Sequence, residues 1–205
     1  MGSNQQELEI KLFLLDMPAF QQKVESLGGK LIEPRLHEIN LRFDTPDGGL
    51  TRASQVLRLR QDTAARMTYK GPGKTIDGVH ARREIEFTVS DYQSARALVE
   101  ALGYQVSLMY EKYRTTYDLD GLQVTLDEMP YGNFTEIEGQ DGKQIHAAAE
   151  NLGVNWEARI IDSYTALFDQ LRDKLGLTFR DLSFENFKEM DVTHQALGVR
   201  PADQP

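Results

Sequence analysis

Charged residues occupy every second position in most of the β-strands that the sequence predicts. The first example is ELEIKL at residues 7–12, where Glu7, Glu9 and Lys11 alternate with aliphatic residues. Because successive side chains of a strand point to opposite faces, the three charged groups share one face and the aliphatic groups share the other. Such a strand needs an apolar partner on one side and a polar environment on the other.

The same alternation recurs on six further predicted strand segments. Their sets are Arg58 and Arg60; Thr68 and Lys70; Arg82, Glu84 and Glu86; Lys112 and Arg114; Thr125 and Asp127; and Glu136 and Glu138. One charged face is typical of the solvent side of an amphipathic sheet, but that side also mixes in Ser, Thr, Gln and Asn, which are few here. The repetition therefore favours a sheet that closes into a barrel with the charged face inward.

The predicted elements form one α+β domain. Strands are predicted at 7–15, 31–44, 56–60, 66–70, 80–89, 104–119, 123–129 and 134–139, and helices at 17–27, 91–101, 142–151 and 162–175. A period of two marks the strands, and apolar residues three and four apart mark the helices. We assign residues 1–6 to an N-terminal segment that resembles a tag in part, residues 7–187 to the domain, and residues 188–205 to a polar, loosely ordered tail.

The composition narrows the cellular setting and the classes of partner. The chain has no cysteine, which excludes disulfides and thiolate metal sites and suits a cytoplasmic protein. Its formal net charge of -9 argues against nucleic acids and anionic membranes as partners, because both bind basic surfaces. No apolar run approaches the length of a transmembrane helix. A small anionic molecule can still bind a basic pocket inside an acidic shell.

The alternating face contains equal numbers of acids and bases. The acids are Glu7, Glu9, Glu84, Glu86, Asp127, Glu136 and Glu138, and the bases are Lys11, Arg58, Arg60, Lys70, Arg82, Lys112 and Arg114. Carboxylates arranged largely as Glu-x-Glu pairs resemble a site for a hard cation with oxygen ligands. Arginine supplies a planar fork for phosphate oxygens, and lysine supplies a compact point charge. Carboxylate-held Mg²⁺ or Mn²⁺ beside a row of bases suits a bound polyphosphate.

The motif ELEIK at 7–11 resembles the ExExK signature of the CYTH superfamily, the triphosphate tunnel metalloenzymes, which is named for a bacterial class IV adenylyl cyclase and a thiamine triphosphatase. Seven further motifs follow in the family's order: FDTPDGGL (43–50), VLRLR (56–60), TYKGPG (68–73), RREIEF (82–87), EKYRTTY (111–117), LDEMPYGNFTEIEG (126–139) and SYTALF (163–168). They cover about residues 7–170 and look closest to the bacterial cyclase-like branch. The resemblance implies an eight-stranded antiparallel β-barrel with flanking helices, a triphosphate inside the tunnel and a required divalent metal, Mg²⁺ or Mn²⁺.

The resemblance also implies roles for individual residues. The metal ligands that match are Glu7, Glu9, Glu136 and Glu138, with Asp127 close by, and the phosphate-binding bases that match are Lys11, Arg58, Arg60, Lys70, Arg82, Lys112 and Arg114. Catalysis would depend on Glu7 and Glu9, as ligands of the metal, and on Lys11, as a contact to phosphate or to the leaving group. Glu84 and Glu86 match a mid-chain acidic pair that holds water or orients the bases. Relatives often form dimers, so the resemblance includes a homodimer.

Three activities are compatible with these charges. The first is a triphosphatase acting on inorganic tripolyphosphate or on nucleoside triphosphates, which needs only the tunnel. The alternative is a class IV adenylyl cyclase that converts ATP to cyclic AMP and pyrophosphate, and the second alternative is a non-catalytic module that binds polyphosphate or nucleotide. Many relatives carry Tyr before the Phe-Asp of the second strand, where this chain has Arg42, and this departure argues against a thiamine triphosphatase.

Overall fold

The computed structural model describes residues 3–76 and 78–204, with side chains from residue 8 onward. Its strands are β1 (Ser3–Leu14), β2 (Lys30–Asp44), β3 (Val56–Gln61), β4 (Ala65–Lys70), β5 (Lys74–Ile76), β6 (Val79–Val89), β7 (Gln105–Leu119), β8 (Leu122–Met129) and β9 (Gly132–Gly139). The eight predicted strands are all present. The additional strand, β5, has only three residues, which is too short for a repeating pattern to show in the sequence.

The helices are α1 (Met17–Ser26), α2 (Gly49–Arg52), α3 (Tyr92–Ala101), α4 (Gly142–Leu152), α5 (Tyr164–Leu175), α6 (Phe184–Phe187) and α7 (His194–Leu197). The four longer helices match the predicted ones. Each begins after an Asp or Ser whose side chain accepts a hydrogen bond from a backbone N–H of the first turn, as Asp16 does for α1 and Ser163 for α5. No helix in the described ranges is long and apolar enough to cross a membrane.

Eight strands form a closed antiparallel ring. Their order is β1-β9-β8-β7-β2-β3-β4-β6, and β6 returns to pair with β1, while β5 pairs with β6. The register places charged residues opposite one another, with Glu9 facing Glu138 and Lys11 facing Glu136 across β1 and β9. Residues directly opposite on antiparallel strands project to the same face. The ring therefore surrounds a tunnel with the charged face inside, as the sequence predicts.

Two apolar clusters cover the outside of the ring. The first joins the outer faces of β1, β8 and β9 to α1 and α4, and includes Leu12, Ile137 and Ile145, all fully buried. The second packs α3 against β2, β3 and β4, and includes Leu59 and Val99. These residues alternate with the charged positions of the same strands, so burying the aliphatic face fixes which side chains point into the tunnel.

The inward face becomes apolar at one end of the tunnel, where α5 packs against it. Phe13 follows Lys11 on the inward face of β1, and Phe134 precedes Glu136 on that of β9. Both phenylalanines belong to a third apolar cluster, together with Phe168 of α5. We call this the covered end of the tunnel, because a helix rather than solvent lies against it.

The C-terminal segment is not the loosely ordered tail that the sequence predicts. Leu197 of α7 and Ala202 are buried. The Ala202 amide donates to the Phe13 carbonyl at 2.9 Å, and the Ala202 carbonyl accepts from the Asn155 amide at 2.8 Å. The segment is polar in composition, but a few apolar residues and backbone hydrogen bonds fasten it to the domain.

Candidate functional site

The tunnel contains a cavity of about 540 Å³, lined by side chains from all eight strands of the ring and from the start of α5. All seven predicted phosphate-binding bases line it: Lys11, Arg58, Arg60, Lys70, Arg82, Lys112 and Arg114. Five of the predicted acids also line it: Glu9, Glu84, Glu86, Glu136 and Glu138. Residues far apart in sequence thus line one polar tunnel. They lie close together because the ring of strands is closed and their side chains point inward.

Acids and bases of the cavity wall form ion pairs across neighbouring strands. The Lys70 ammonium lies 3.0 Å from Glu84 and the Lys11 ammonium 3.4 Å from Glu136. The Arg82 guanidinium lies 3.5 Å from Glu9. Paired charges of this kind are tolerated inside a protein because each offsets the desolvation of the other. The pairs hold the bases facing the cavity.

Glu86 fixes two arginines at once. Its carboxylate lies 3.4 Å from the Arg58 guanidinium and 3.5 Å from the Arg60 guanidinium. It also accepts a hydrogen bond of 2.8 Å from the Thr68 hydroxyl, and Thr68 is fully buried. Glu86 therefore orients bases, which is one of the two roles that the resemblance implies for it.

Asp127, predicted close to the metal, lies behind the cavity wall and is fully buried. Its carboxylate pairs with Lys112 at 3.2 Å and with Arg114, and it accepts a hydrogen bond of 2.8 Å from the Tyr164 hydroxyl. Arg114 also pairs with Glu136 at 2.6 Å. Burial by itself would lower the pKa of Arg114, but the two carboxylates hold it well above its ordinary value. Asp127 thus anchors two bases and the first residue of α5.

Strand β2 contributes polar residues that the sequence analysis did not select. Glu38, Asn40 and Arg42 lie on its inward face at the same period of two that identified the other strands. Glu38 lies 3.4 Å from Arg60 and 3.6 Å from Lys112. Burial alone would raise the pKa of Glu38, but the charges of Lys112, Arg114, Arg60 and Arg58 lower it to about 2. The signal was present in the sequence HEINLRF and was obscured by the single uncharged position.

The start of α5 carries polar groups to the covered end. Ser163, Tyr164 and Thr165 line the cavity, and the Lys11 ammonium lies 4.4 Å from the centre of the Tyr164 ring. Lys11 also donates to the Asp162 carbonyl at 3.2 Å. The opposite end is lined by Ile32, Gln123 and Gln140, which are exposed, and we call it the open end.

The carboxylates offer a partial site for a divalent metal. Glu9 and Glu138 lie directly opposite each other and both line the cavity. Like charges in this position repel, so the pair favours a cation near both. Among the described side chains, those of the tunnel included, no three acidic or histidine groups lie close enough together to hold an ion. The donor set fits Mg²⁺ or Mn²⁺, which take one or two carboxylates and complete their coordination with phosphate oxygens and water.

Glu7 is the remaining predicted metal ligand. Its backbone lies in β1 opposite Arg82 of β6. Its side chain lies outside the described residues, so its role stays a prediction. The four histidines do not contribute imidazoles to the wall of the cavity in the part of the chain that the structure describes.

Comparisons with known proteins agree with this architecture. The family model described as the CYTH domain matches residues 5–160, which is more than half of the chain. Adenylate cyclase CyaB of Aeromonas hydrophila is 28% identical over 188 residues, which cover 90% of this chain and 87% of the relative.

Solved structures from several organisms share the fold. An adenylate cyclase candidate from Vibrio parahaemolyticus has a TM-score of 0.73 at 22% identity and covers 82% of this chain and 99% of its own. The PH1012 protein from Pyrococcus horikoshii has a TM-score of 0.67 at 25% identity, covering 78% and 98%. HpAC1 from Hippeastrum, a candidate adenylyl cyclase described as having a dominant triphosphatase activity, has a TM-score of 0.62 at 22% identity, covering 80% and 95%. With its ring of strands, its charged tunnel and the match over residues 5–160, the chain belongs to the CYTH domain family.

Proposed function

We propose that the chain is a divalent-metal-dependent triphosphatase that hydrolyses inorganic tripolyphosphate or a nucleoside triphosphate inside the tunnel. The observation that carries this proposal is the convergence of nine bases, the seven predicted ones with Arg42 and Arg66, on one tunnel cavity of about 540 Å³. A triphosphate is a compact chain of oxyanions, and arginine and lysine are the side chains that recognise such groups. A neutral substrate would not require so many bases in one site.

Binding would proceed by exchange of partners within the wall. Before substrate enters, Lys11, Lys70 and Arg82 are paired with Glu136, Glu84 and Glu9. Phosphate oxygens would replace the carboxylates as partners of the bases. Glu9, Glu136 and Glu138 would then be available to a metal ion that enters with the substrate. The internal pairs keep the bases in place for this exchange, which reduces the reorganisation that binding requires.

Hydrolysis requires attack of water on the terminal phosphorus and departure of the remaining diphosphate as the bridging P–O bond breaks. A divalent metal, when bound, would stabilise charge on the phosphate oxygens and acidify a bound water. Lys11 can donate to a phosphate oxygen or to the oxygen that leaves. Glu9 and Glu7 are the carboxylates proposed to hold the metal. Arg58 and Arg60, fixed by Glu86, would hold the phosphates in line for attack.

The lining of the cavity supports a substrate without a nucleoside. Among its described residues, the larger apolar or aromatic ones are Ile32, Val56, Tyr110 and Tyr164. Tyr164 is engaged by Asp127, and Tyr110 accepts a hydrogen bond of 3.3 Å from Arg58. Both tyrosines are also buried, and the Lys11 ammonium lies over the Tyr164 ring, so neither ring presents an open face on which a base could stack. Tripolyphosphate needs no such surface, so we propose it as the first substrate to test.

A class IV adenylyl cyclase is the second candidate function. It is favoured by the relative named adenylate cyclase CyaB, which aligns over 90% of this chain. In that reaction the ribose 3′-hydroxyl attacks the α-phosphorus, and pyrophosphate leaves. The adenosine would have to lie at the open end, near the exposed Ile32. The same bases would bind the triphosphate in both reactions. The charges of the site therefore do not distinguish the two reactions, whereas their products do.

One product assay separates these candidates. Purified protein is incubated with tripolyphosphate and, separately, with ATP under Mg²⁺ and under Mn²⁺, and phosphate, pyrophosphate and cyclic AMP are resolved in each reaction. We expect phosphate from tripolyphosphate and no cyclic AMP from ATP. Cyclic AMP with an equal amount of pyrophosphate would replace the proposal by the cyclase, and binding without any product would favour a non-catalytic module.

A further inference from the structure

Arg42 differs from every other base that lines the cavity. Each of the other lining arginines and lysines has a carboxylate within ion-pairing distance; for example, Arg66 lies 2.6 Å from Asp62. Among the side chains that the structure describes, which begin at residue 8, Arg42 makes no such pair, and its guanidinium donates instead to the neutral Thr165 hydroxyl. Burial lowers the pKa of Arg42, against the opposing influence of Tyr110 and of two aspartates. Arg42 is therefore a largely buried cation that lacks a matching anion.

The immediate neighbours of Arg42 deepen this imbalance. Arg58 lies directly opposite Arg42 across β2 and β3. Like charges directly opposite each other on a sheet are destabilising unless an anion lies near both. The carboxylate partner of Arg58 is Glu86, on the side away from β2 in the strand order. Arg42 and Arg58 are thus neighbours on the sheet, and only Arg58 has a carboxylate partner among the described side chains.

Asn40 is a second incomplete group on the same strand face. It is fully buried, and neither its amide nitrogen nor its amide oxygen has a hydrogen-bond partner. Leaving such an amide unpaired costs on the order of 1 to 3 kcal/mol. Asn40 lies opposite Arg60 of β3 and opposite Tyr110 of β7. Asn40 does not line the cavity itself, but its unpaired amide lies on the same strand face as Arg42, two residues away.

Arg42 lies at the covered end of the tunnel, and this position determines which part of a bound substrate it would contact. Arg42 contacts Thr165 at the start of α5, and the Ser163 hydroxyl lies 3.1 Å from that of Thr165. Ile32 and Glu33 line the open end from the beginning of the same strand, β2. A linear polyphosphate that lies along the tunnel therefore has one end beside Arg42, and a nucleoside would remain at the open end.

We infer that Arg42 is a substrate-binding residue that engages the end phosphoryl group of the triphosphate at the covered end, with Arg58 opposite it and Asn40 beside it. The inference rests on the proposed function and adds a residue and an orientation to it. A phosphoryl group there would supply the anion that Arg42 lacks and a second anionic partner for Arg58. The substrate would enter with this phosphoryl group first.

The test compares Arg42→Gln, Arg42→Lys and the matched exposed control Arg96→Gln, whose guanidinium pairs with Glu100 on α3. Tripolyphosphate binding is measured by calorimetry in EDTA, so that no turnover is needed, and melting temperatures are measured without ligand. We expect Arg42→Gln to weaken binding at least about tenfold, Arg42→Lys to recover part of the loss, and Arg96→Gln to bind like the wild type.

The melting temperature separates binding from a structural role. If Arg42 serves the ligand, Arg42→Gln without ligand melts no lower than the wild type, because it removes an unpaired buried charge. Unchanged affinity in Arg42→Gln, or weaker affinity together with a lower melting temperature without ligand, would overturn the inference. Absence of tripolyphosphate binding in the wild type would instead contradict the proposed function.

Discussion

The carboxylates of the tunnel wall each serve several bases, so single residues control the shape of the site. Asp127 accepts from Lys112, Arg114 and Tyr164, and Glu136 lies between Lys11 and Arg114. Burial by itself would raise the pKa of Glu136, but Lys11 and Arg114 hold it well below the ordinary value for a glutamate. Such networks add little net stability, because desolvation offsets much of the attraction. Their effect is to fix the direction of each base.

The residues of this network differ in how visible they are in the sequence. The charged positions selected on β3, β4 and β6 follow from alternation, since the opposite faces are mostly apolar, with Arg83 of β6 as an exception. Arg66 of β4 lies on the same face as Lys70 and lines the cavity, but it was not selected. Alternation does not predict that Asp127 lies behind the cavity wall whereas Glu136 lies on it, because this difference depends on where the start of α5 packs against the ring. It also cannot tell which acid pairs with which base, since pairing depends on the register between strands.

Glu9→Gln tests the carboxylate pair proposed to hold the metal. The amide removes one charge from the Glu9 and Glu138 pair, so we expect the rate of phosphate release from tripolyphosphate under Mg²⁺ to fall at least about a hundredfold. The melting temperature should stay close to that of the wild type, because the tunnel interior loses a ligand and not a core contact. Glu100→Gln, on the exposed surface of α3, is the control. Near-normal turnover in Glu9→Gln would remove Glu9 from the metal site.

The lowered pKa of Glu38 predicts how the free energy of unfolding depends on pH. Its pKa in the folded protein is about 2, below the ordinary 4.5, so its contribution is complete above about pH 5 and is lost as the pH falls towards 2. The contribution is on the order of 3 kcal/mol. We expect Glu38→Gln to be less stable at pH 7, because Arg60 and Lys112 lose a partner, and to lose less stability between pH 5 and pH 2. Urea unfolding at several pH values measures both, and equal slopes for the two proteins would be the contrary result.

At the scale of elements, length decided what the sequence could predict. The eight ring strands and the four longer helices repeat their pattern often enough to be recognised. The strand β5 has three residues, which is less than two repeats of the strand period, and the helices α2, α6 and α7 have four residues each, which is about one helical turn. The C-terminal segment was misjudged for a related reason, since its attachment depends on isolated residues such as Ala202 and on backbone hydrogen bonds.

Helix α5 links the stability of the fold to the shape of the tunnel. Phe168 is fully buried among the aromatic residues that cover one end, with Phe187 and Phe179 nearby. We expect Phe168→Ala to destabilise the protein by about 3 to 5 kcal/mol and to weaken tripolyphosphate binding, because the start of α5 would no longer hold Thr165 and Tyr164 in place. Thermal unfolding and calorimetric titration measure the two effects.

Leu175 provides the control on the same helix. It lies at the last residue of α5 and is 45% exposed, so Leu175→Ala should change stability by less than about 0.5 kcal/mol and leave binding unchanged. If Phe168→Ala and Leu175→Ala had the same effect on binding, the covered end would have no part in holding the substrate.

At the scale of the whole molecule, closure of the ring determines the function that the site can have. Strand β6 pairs with β1 over seven residue positions, so charges that would be solvated on an open sheet are enclosed together. The sequence predicted this enclosure through the excess of charge over neutral polar residues on one face. It did not separate hydrolysis from cyclisation, because both reactions use the same charges on the triphosphate, and the difference lies in where a nucleoside is held.

The central claim is that the bases of the tunnel bind a triphosphate, and the most direct measurement is calorimetric titration of tripolyphosphate into wild-type, Arg60→Ala and Arg96→Gln protein in EDTA. Arg60 lies within 3.5 Å of Glu38, Asp62 and Glu86 and faces the cavity, whereas Arg96 lies on the surface of α3. We predict one site per chain in the wild type, the same site in Arg96→Gln, and affinity at least about tenfold weaker in Arg60→Ala. Equal affinity in Arg60→Ala and wild type, or no binding by the wild type, would contradict the account.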